Sequence, residues 1–278
     1  MDSAPQITAA QAVAVGREWG ANAPLAPLVL HYENCETDEN IERNIRRTLG
    51  SQYESIVPLL SGPHDRELSI CGFGPSLAKT YGSLRGDVLA CNGAHNWLIE
   101  RGIVPKFALF WDASPVMAKF VKAHPDVTYL VASRCHQSVF DALADCDVRV
   151  WHCVGDANMD DLLCEHRKAE PMHGHGSAAV TTAMVLMTAL GYRKIFAFGA
   201  DGSFDGEYTH AKKSIVHEDE ITAYVAGRKF RTTTWLCGQA EDFKIIGPTL
   251  KQQGCTIEFY GDGLLPFVAQ INGFKVHL

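Results

Sequence analysis

In this 278-residue chain, the residues whose types and spacing can do chemistry fall at a few abrupt points. The stretch CGFGPSL, residues 71–77, follows the apolar run ELSI and sets Gly72, Phe73, Gly74, Pro75 and Ser76 at the end of an expected buried strand. Two glycines let another group approach the backbone closely. Pro75 suits the first turn of a helix, whose exposed N–H groups and dipole make an anion site. A nucleotide phosphate is the natural occupant, and a plain strand-to-helix turn is the alternative. The stretch is neither a P-loop, which needs Gly-Lys-Ser/Thr, nor a full G-x-G-x-x-G dinucleotide fingerprint, which would carry a third glycine. NAD is therefore not the expected ligand.

Four further points carry polar groups at the ends of apolar runs. In LACNGAH, Asn92 and Gly93 form either an Asn-Gly turn or a side-chain amide that reads a base or a ribose hydroxyl. In FWDASP, Asp112 either caps a helix starting near Pro115 or holds a divalent cation against phosphates, which leaves Mg2+ open as a cofactor. Gly174, Gly176 and Ser177 precede the small-residue run SAAVTTA, so a helix can begin pressed against a ligand and offer a second anion site. Asp201, in GADGSF, can contact a substrate hydroxyl or cap a turn.

His210 lies in the polar stretch EYTHAKK, with no apolar periodicity around it, so it reads as exposed or ligand-facing. Imidazole is the side chain whose ordinary pKa best suits taking a proton from a hydroxyl near neutral pH. Lys212 and Lys213 beside it can pair with phosphate or be solvated surface charge. His173 and His175 alternate in the manner of metal ligands but lack a nearby third ligand.

Short apolar runs must position these groups. Strands are expected at 67–71, 87–92, 106–112, 127–133, 148–153 and 194–201, separated by helix-compatible segments at 94–102, 115–123, 136–144 and 177–190. Strands alternating with helices predict parallel crossovers, hence an α/β, Rossmann-like, mostly parallel sheet with helices on both faces. Ligands of such a sheet bind beyond the carboxyl ends of its strands, where the polar points above fall. Residues 1–65 read as a helical N-terminal lead. Within it TDENIERNIRRTL has Ile41, Ile45 and Leu49 on one face, Thr37 as cap and Gly50 as stop, and is expected to dock on the rest. Residues 66–278 read as one Rossmann-like domain with a lid-like segment near 202–227, then a strand in RKFRTTT, a helix near 235–253 and a last strand, CTIEFYG.

Composition bounds the rest. A hydrophobic content of 46% supports a large core, and a net charge of -7 argues against a surface built to coat nucleic acid. No apolar run is long enough for a membrane span, and the first residues lack the basic start and apolar run of a signal peptide, so a cytoplasmic address is expected. Nine cysteines, an odd number with no C-x-x-C pair, read as reduced and mostly buried thiols.

Taken together, SICGFGPSL, LACNGAHNWLIERGIVPKFALFWDASP, GSAAVTTAMVLMTALGYRKIFAFGADGSF and YTHA resemble one family over roughly residues 40–210. It contains the archaeal 6-hydroxymethylpterin diphosphokinases and the central domain of the motility accessory factor flagellin glycosyltransferases. The fold implied is a sialyltransferase-like variant of the GT-A glycosyltransferase fold. The resemblance implies a nucleotide-binding transferase, with Gly72, Gly74, Ser76 and Asn92 holding the nucleotide part of a donor and Ser177 near its phosphate. Phe73 departs from the asparagine found between the glycines in the sialyltransferase-like relatives, which leaves the nucleotide open. Two enzyme readings follow. A glycosyltransferase would move a sugar from a nucleotide-sugar donor to an acceptor hydroxyl, with His210 or Asp201 taking the proton. A diphosphokinase would transfer pyrophosphate from ATP with Mg2+ on Asp112. The absence of a repeated carboxylate motif favours the first. A non-catalytic nucleotide-binding module is the third reading, and a homo-oligomer stays open.

Overall fold

Apolar runs with few charges make strands that bury both faces, and the parallel sheet they form needs helical crossovers to cover it. The computed structural model describes residues 36–154, 159–166, 170–174, 176–212 and 220–278, with the backbone of two short strands, β1 (Ala14–Gly16) and β2 (Ala26–Pro27). Helix α1 (Asp38–Leu49) and the short β3 (Glu54–Ser55) precede the main run. That run is β4 (His64–Cys71), α2 (Leu77–Thr80), β5 (Asp87–Cys91), α3 (Gly93–Ile99), β6 (Phe107–Phe110), β7 (Thr128–Ala132), α4 (Gln137–Asp141) and β8 (Asp147–Cys153). It continues through α5 (Asp160–His166), β9 (Met172–His173), α6 (Ala179–Ala189) and β10 (Tyr192–Phe198). The last part holds β11 (Glu220–Val225), β12 (Arg228–Thr233), α7 (Thr234–Gln252), β13 (Thr256–Tyr260), α8 (Leu264–Ile271) and β14 (Lys275–His277).

The central sheet has the order β14-β13-β10-β4-β5-β6-β7-β8-β3, with β9 beside β8, and every pairing in it is parallel. From β4 the chain steps outward to β8, then returns to place β10 on the other side of β4. The sheet therefore reverses its order between β4 and β10, and a ligand crevice is expected at the carboxyl edge beside that switch point.

Alternation along the strands assigns the two faces. Leu68 and Ile70 of β4 pack with Leu89, Leu109, Met184, Met187 and Phe243, placing α6 and α7 on one side. Cys71 packs with Leu77, Ala94, Trp97, Leu98 and Phe198, placing α2 and α3 on the other. Helix α6 carries Val180, Ala183, Met184, Leu186 and Met187 buried, with Thr181, Thr182 and Thr188 also inside, which is the all-round burial expected of a core helix.

Helix α1 forms and docks as its pattern requires. The Thr37 hydroxyl accepts the Asn40 N–H at 3.3 Å, and Ile41 and Ile45 pack with Ala113, Met159 and Leu163. Polar ties fix its angle: Asn44 Nδ2 donates to the Arg134 carbonyl at 2.9 Å and Thr48 Oγ1 to the Ser133 carbonyl at 3.0 Å.

Several expectations need correction. The segment 115–123 is a 3-10 turn over Pro115–Phe120, because Val121 is already extended. The helix after Pro75 has four residues. CTIEFYG is not the last strand: α8 crosses back and β14 adds to the sheet edge beside β13. EITAYV, unrecognised in the sequence, is β11, paired antiparallel with β12 through Ala226 and Gly227, both at positive φ. With β1 and β2 these strands form a separate four-stranded sheet. Of the lid-like segment near 202–227, residues 213–219 lie outside the described residues, and 220–225 belong to β11.

Candidate functional site

A cavity of about 470 Å³ opens at the carboxyl edge of the sheet beside the joined loops after β4 and β10. It gathers Gly72, Phe73 and Gly74 from the end of β4, Asn92 and Gly93 from β5, and Asp112 from β6. Ser177 comes from the approach to α6, Asp201 from the end of β10, and His210 and Lys212 from the loop that follows. Three expected site residues, Pro75, Ser76 and Gly176, do not line it.

The loop CGFGPSL has a different task from the one its glycines suggest. The Gly72 N–H donates to the Phe198 carbonyl and the Gly74 N–H to the Gly199 carbonyl, each at 2.8 Å. The Ser76 N–H donates to Asp201 Oδ2 at 2.9 Å and the Leu77 N–H to the Gly74 carbonyl at 3.1 Å. These donors are committed to protein acceptors, so they do not form a phosphate cradle. The close approach that demands glycine is between the two loops. A Cβ on Gly72 would stand 2.5 Å from the Gly199 oxygen and 2.6 Å from a Val180 methyl, and one on Gly74 would collide with the Asp201 carboxylate. Ser76 is buried, with its hydroxyl donating to the Tyr260 carbonyl at 3.3 Å.

Asp201 is the hub of that packing. It is 5% exposed, and Gly74, Gly261 and Gly263 all pack against it with no room for side chains. Burial pushes its carboxyl up to about 6, opposed by the hydrogen bonds from Ser76. A carboxylate so engaged holds loops together while presenting one edge to the cavity.

Asn92 and Ser177 behave differently. Asn92 ends β5 at φ 47 and ψ -121, a backbone conformation that side chains other than glycine rarely adopt. Such strain persists where the surroundings over-determine it, and it clusters at ligand sites. The Asn92 Oδ1 and the Ser177 Oγ are both buried and without a hydrogen-bond partner, although both residues line the cavity. Buried polar atoms are ordinarily paired, which makes these two residues of the cavity wall candidates for ligand contact. Ser177 also leads into the N-terminus of α6, whose N-cap Ala178 has no capping side chain and lines the cavity.

His210 lines the cavity and is held there by its neighbours. The Ala211 N–H donates to the Phe73 carbonyl at 2.8 Å, and the rings of His210 and Phe73 lie 5.3 Å apart. Thr209 Oγ1 and His210 Nδ1 are 2.9 Å apart, which orients the imidazole. Trp111, Met117 and Phe120 also line the cavity, apolar residues the sequence reading missed. Trp111 directly precedes Asp112 and could have been found from it, whereas Leu236 and Gln239 arrive from α7 by tertiary approach alone.

Asp112 Oδ1 accepts the Ser114 N–H at 2.8 Å, and Ser114 in turn caps the 3-10 turn, so this carboxylate builds the local turn beside the cavity. Among the described residues no three His, Cys, Asp or Glu side chains cluster as a metal site. His173 is buried beside Trp151, and burial together with His152 lowers its pKa; His175 and Lys213 lie outside the described residues.

The fold and the crevice define a Rossmann-like α/β protein with a ligand-sized cavity at the switch point of its sheet. The chain belongs to the family described as 6-hydroxymethylpterin diphosphokinase MptE-like, whose sequence profile matches residues 39–207. Among solved structures it is similar to the MAf glycosyltransferase from Magnetospirillum magneticum AMB-1, with a TM-score of 0.63 and 15% identity over 89% of this chain and 39% of that chain. These are the two relatives the sequence motifs pointed to. At that identity the likeness shows the fold, and this chain spans well under half the length of that protein. No curated protein matches the sequence.

Proposed function

We propose that the cavity binds a nucleotide-sugar donor and that the protein is a transferase moving the sugar to an acceptor hydroxyl. The observation that carries the reading is that Asn92 and Ser177, whose side-chain oxygens Oδ1 and Oγ are buried and unpartnered, both line one cavity at the switch point. Asn92 Oδ1 takes an N–H or O–H of the nucleoside. Ser177 and the N-terminal N–H groups of α6 hold the phosphate and stabilise the charge it gains on leaving. His210 takes the acceptor proton as the new bond forms. Asp201 fixes the β4 and β10 loops around the donor. The family and the fold of the MAf glycosyltransferase both support a transferase.

The second reading, an ATP-dependent diphosphokinase, is favoured by the family description. It would use Asp112 to hold Mg2+ against the phosphates, since Mg2+ keeps several waters and needs few protein ligands. Against it, the Asp112 and Asp201 carboxylates already accept backbone N–H groups. Among the described residues no helix is long and apolar enough to cross a membrane. The eight described cysteines are free and most are buried, which supports a reducing, cytoplasmic address.

The test is a thermal-shift series with CMP, UDP, GDP and ATP, with and without Mg2+, because a ligand of the native state raises apparent stability. At least one nucleotide is expected to raise the melting temperature of the unaltered protein and to lose that effect in Asn92→Ala and Ser177→Ala. No shift with any of the four would overturn the nucleotide reading. Hydrolysis or transfer unaffected by a chelator would remove the diphosphokinase, and a nucleotide shift without any transfer activity would leave a binding module.

A further inference from the structure

Resting on the donor reading, we infer that Asp242 of α7 is a positioning residue that holds Ser177 in its ligand-facing pose. Ser177 lies two residues before α6, outside regular secondary structure, yet it lines the cavity with its hydroxyl buried and unpaired. Something must fix the backbone that aims it. The Ser177 N–H donates to the carboxylate of Asp242, 65 residues further on. Gly176 is clamped from the other side: its N–H donates to Thr182 Oγ1 at 3.2 Å, and that hydroxyl returns a bond to the Gly176 carbonyl at 3.4 Å. A Cβ on Gly176 would meet the Thr181 side chain and stand 3.2 Å from Asp242 Oδ2, so the strand of chain is pressed between the first turn of α6 and α7.

The spacing on α7 makes this one functional face. Leu236 and Gln239 line the cavity, and Asp242 follows Gln239 by three residues, close to one helical turn. The family match ends at residue 207, so α7 contributes to the site from outside the matched region. A hydrogen bond to a carboxylate is among the stronger kinds, and loss of its acceptor leaves the Ser177 N–H unsatisfied and its hydroxyl free to turn away. Asp242 thus acts on the ligand through Ser177 without touching it.

The test is a double-mutant cycle read by isothermal titration with CMP, UDP, GDP and ATP on the whole chain. Ser177→Ala and Asp242→Ala are each expected to weaken nucleotide binding about tenfold, and the double variant no further, because both changes remove the same contact. Asp242→Asn, which keeps an acceptor oxygen, is expected to recover most of the affinity. Effects that multiply, to about a hundredfold in the double variant, would overturn the inference, as would unchanged affinity in Asp242→Ala. Hydrogen exchange supplies an arm that needs no ligand: the peptide spanning 176–182 should lose protection in Asp242→Ala and keep it in Asp242→Asn, with the central sheet unaffected. Unaltered protection there sinks the positioning role. A lack of nucleotide binding by the unaltered protein sinks the donor reading instead. Should Asp242→Ala fail to fold, Asp242→Ser, which shortens the reach while keeping a polar side chain, replaces it in both arms.

Discussion

The Asp201 carboxylate accepts the backbone N–H of Ser76 at 2.9 Å, tying the loop after β10 to the loop after β4 across the point where the sheet reverses its order. This bond, with the glycines packed round it, sets the width of the crevice. It also gives the fold a pH dependence. Burial raises the Asp201 carboxyl from 3.8 to about 6, so between those values the folded chain keeps a proton that the unfolded chain has lost. Stability contributed by the protonated form is complete below about 4 and is lost as pH rises through 6. A displacement of that size corresponds to roughly 3 kcal/mol between the two protonation states. In Asp201→Asn this loss is absent. The melting temperature of the variant relative to the unaltered protein is therefore expected to climb between pH 4 and pH 7, and parallel curves would contradict the assignment.

The glycines of CGFGPSL are predicted to act on stability before they act on ligand. Gly74→Ala drives a methyl group into the Asp201 carboxylate and within 2.7 Å of the Gly199 oxygen. Overpacking of this kind costs about 1–3 kcal/mol, which in a chain of this size lowers the melting temperature by roughly 2–4 °C per kcal/mol. Gly82→Ala is the control, since a Cβ there meets nothing within 4 Å. Equal melting temperatures for the two variants, measured without ligand, would refute the loop-to-loop packing.

What was legible in the sequence follows from which interactions are local. Strands such as ELSIC and KIFAFG are buried on both faces, so their apolar runs declare them, and Asn92, Asp112 and Asp201 stand out because each breaks such a run at its end. The glycines at 72 and 74 were visible too, but whether a ligand or another loop fills the space beside them depends on β10, well over a hundred residues later. Ser76 faces Asp201 and Tyr260 for the same non-local reason. The three-residue β14 is too short to signal a strand and is held by its partner β13, whereas β11, EITAYV, alternates and carries Ile, Thr, Tyr and Val, a strand signal the sequence reading passed over. Gln239 and Asp242 sit in a helix whose own pattern says only that one face is buried.

His210 should separate binding from chemistry. Its ring lies tilted against Phe73 and its loop is tied to the Phe73 carbonyl, so truncating the imidazole removes the proton acceptor and leaves the donor contacts of Asn92 and Ser177 in place. His210→Ala is expected to slow transfer by about 10²–10⁴-fold, the usual worth of a general base, with little change in nucleotide affinity. A comparable loss of affinity, seen by titration calorimetry, would instead make His210 a binding group.

Asn92 should separate function from stability. Its φ of 47 is one that glycine adopts freely and other residues adopt at a cost on the order of 1–3 kcal/mol, while glycine gives back up to about 1 kcal/mol through the entropy of the unfolded chain. Asn92→Gly should therefore be more stable than Asn92→Ala by about 1–2 kcal/mol, since alanine keeps the strain and glycine releases it. Neither variant carries the unpartnered Oδ1 acceptor of this cavity-lining residue, so both should lose nucleotide binding to the same degree. Denaturant unfolding ranks the stabilities and titration ranks the affinities. If the glycine variant proves both stabler and binding-deficient, the strain at Asn92 is maintained for its ligand; if it retains the affinity, the amide is a turn residue and the ligand is held elsewhere.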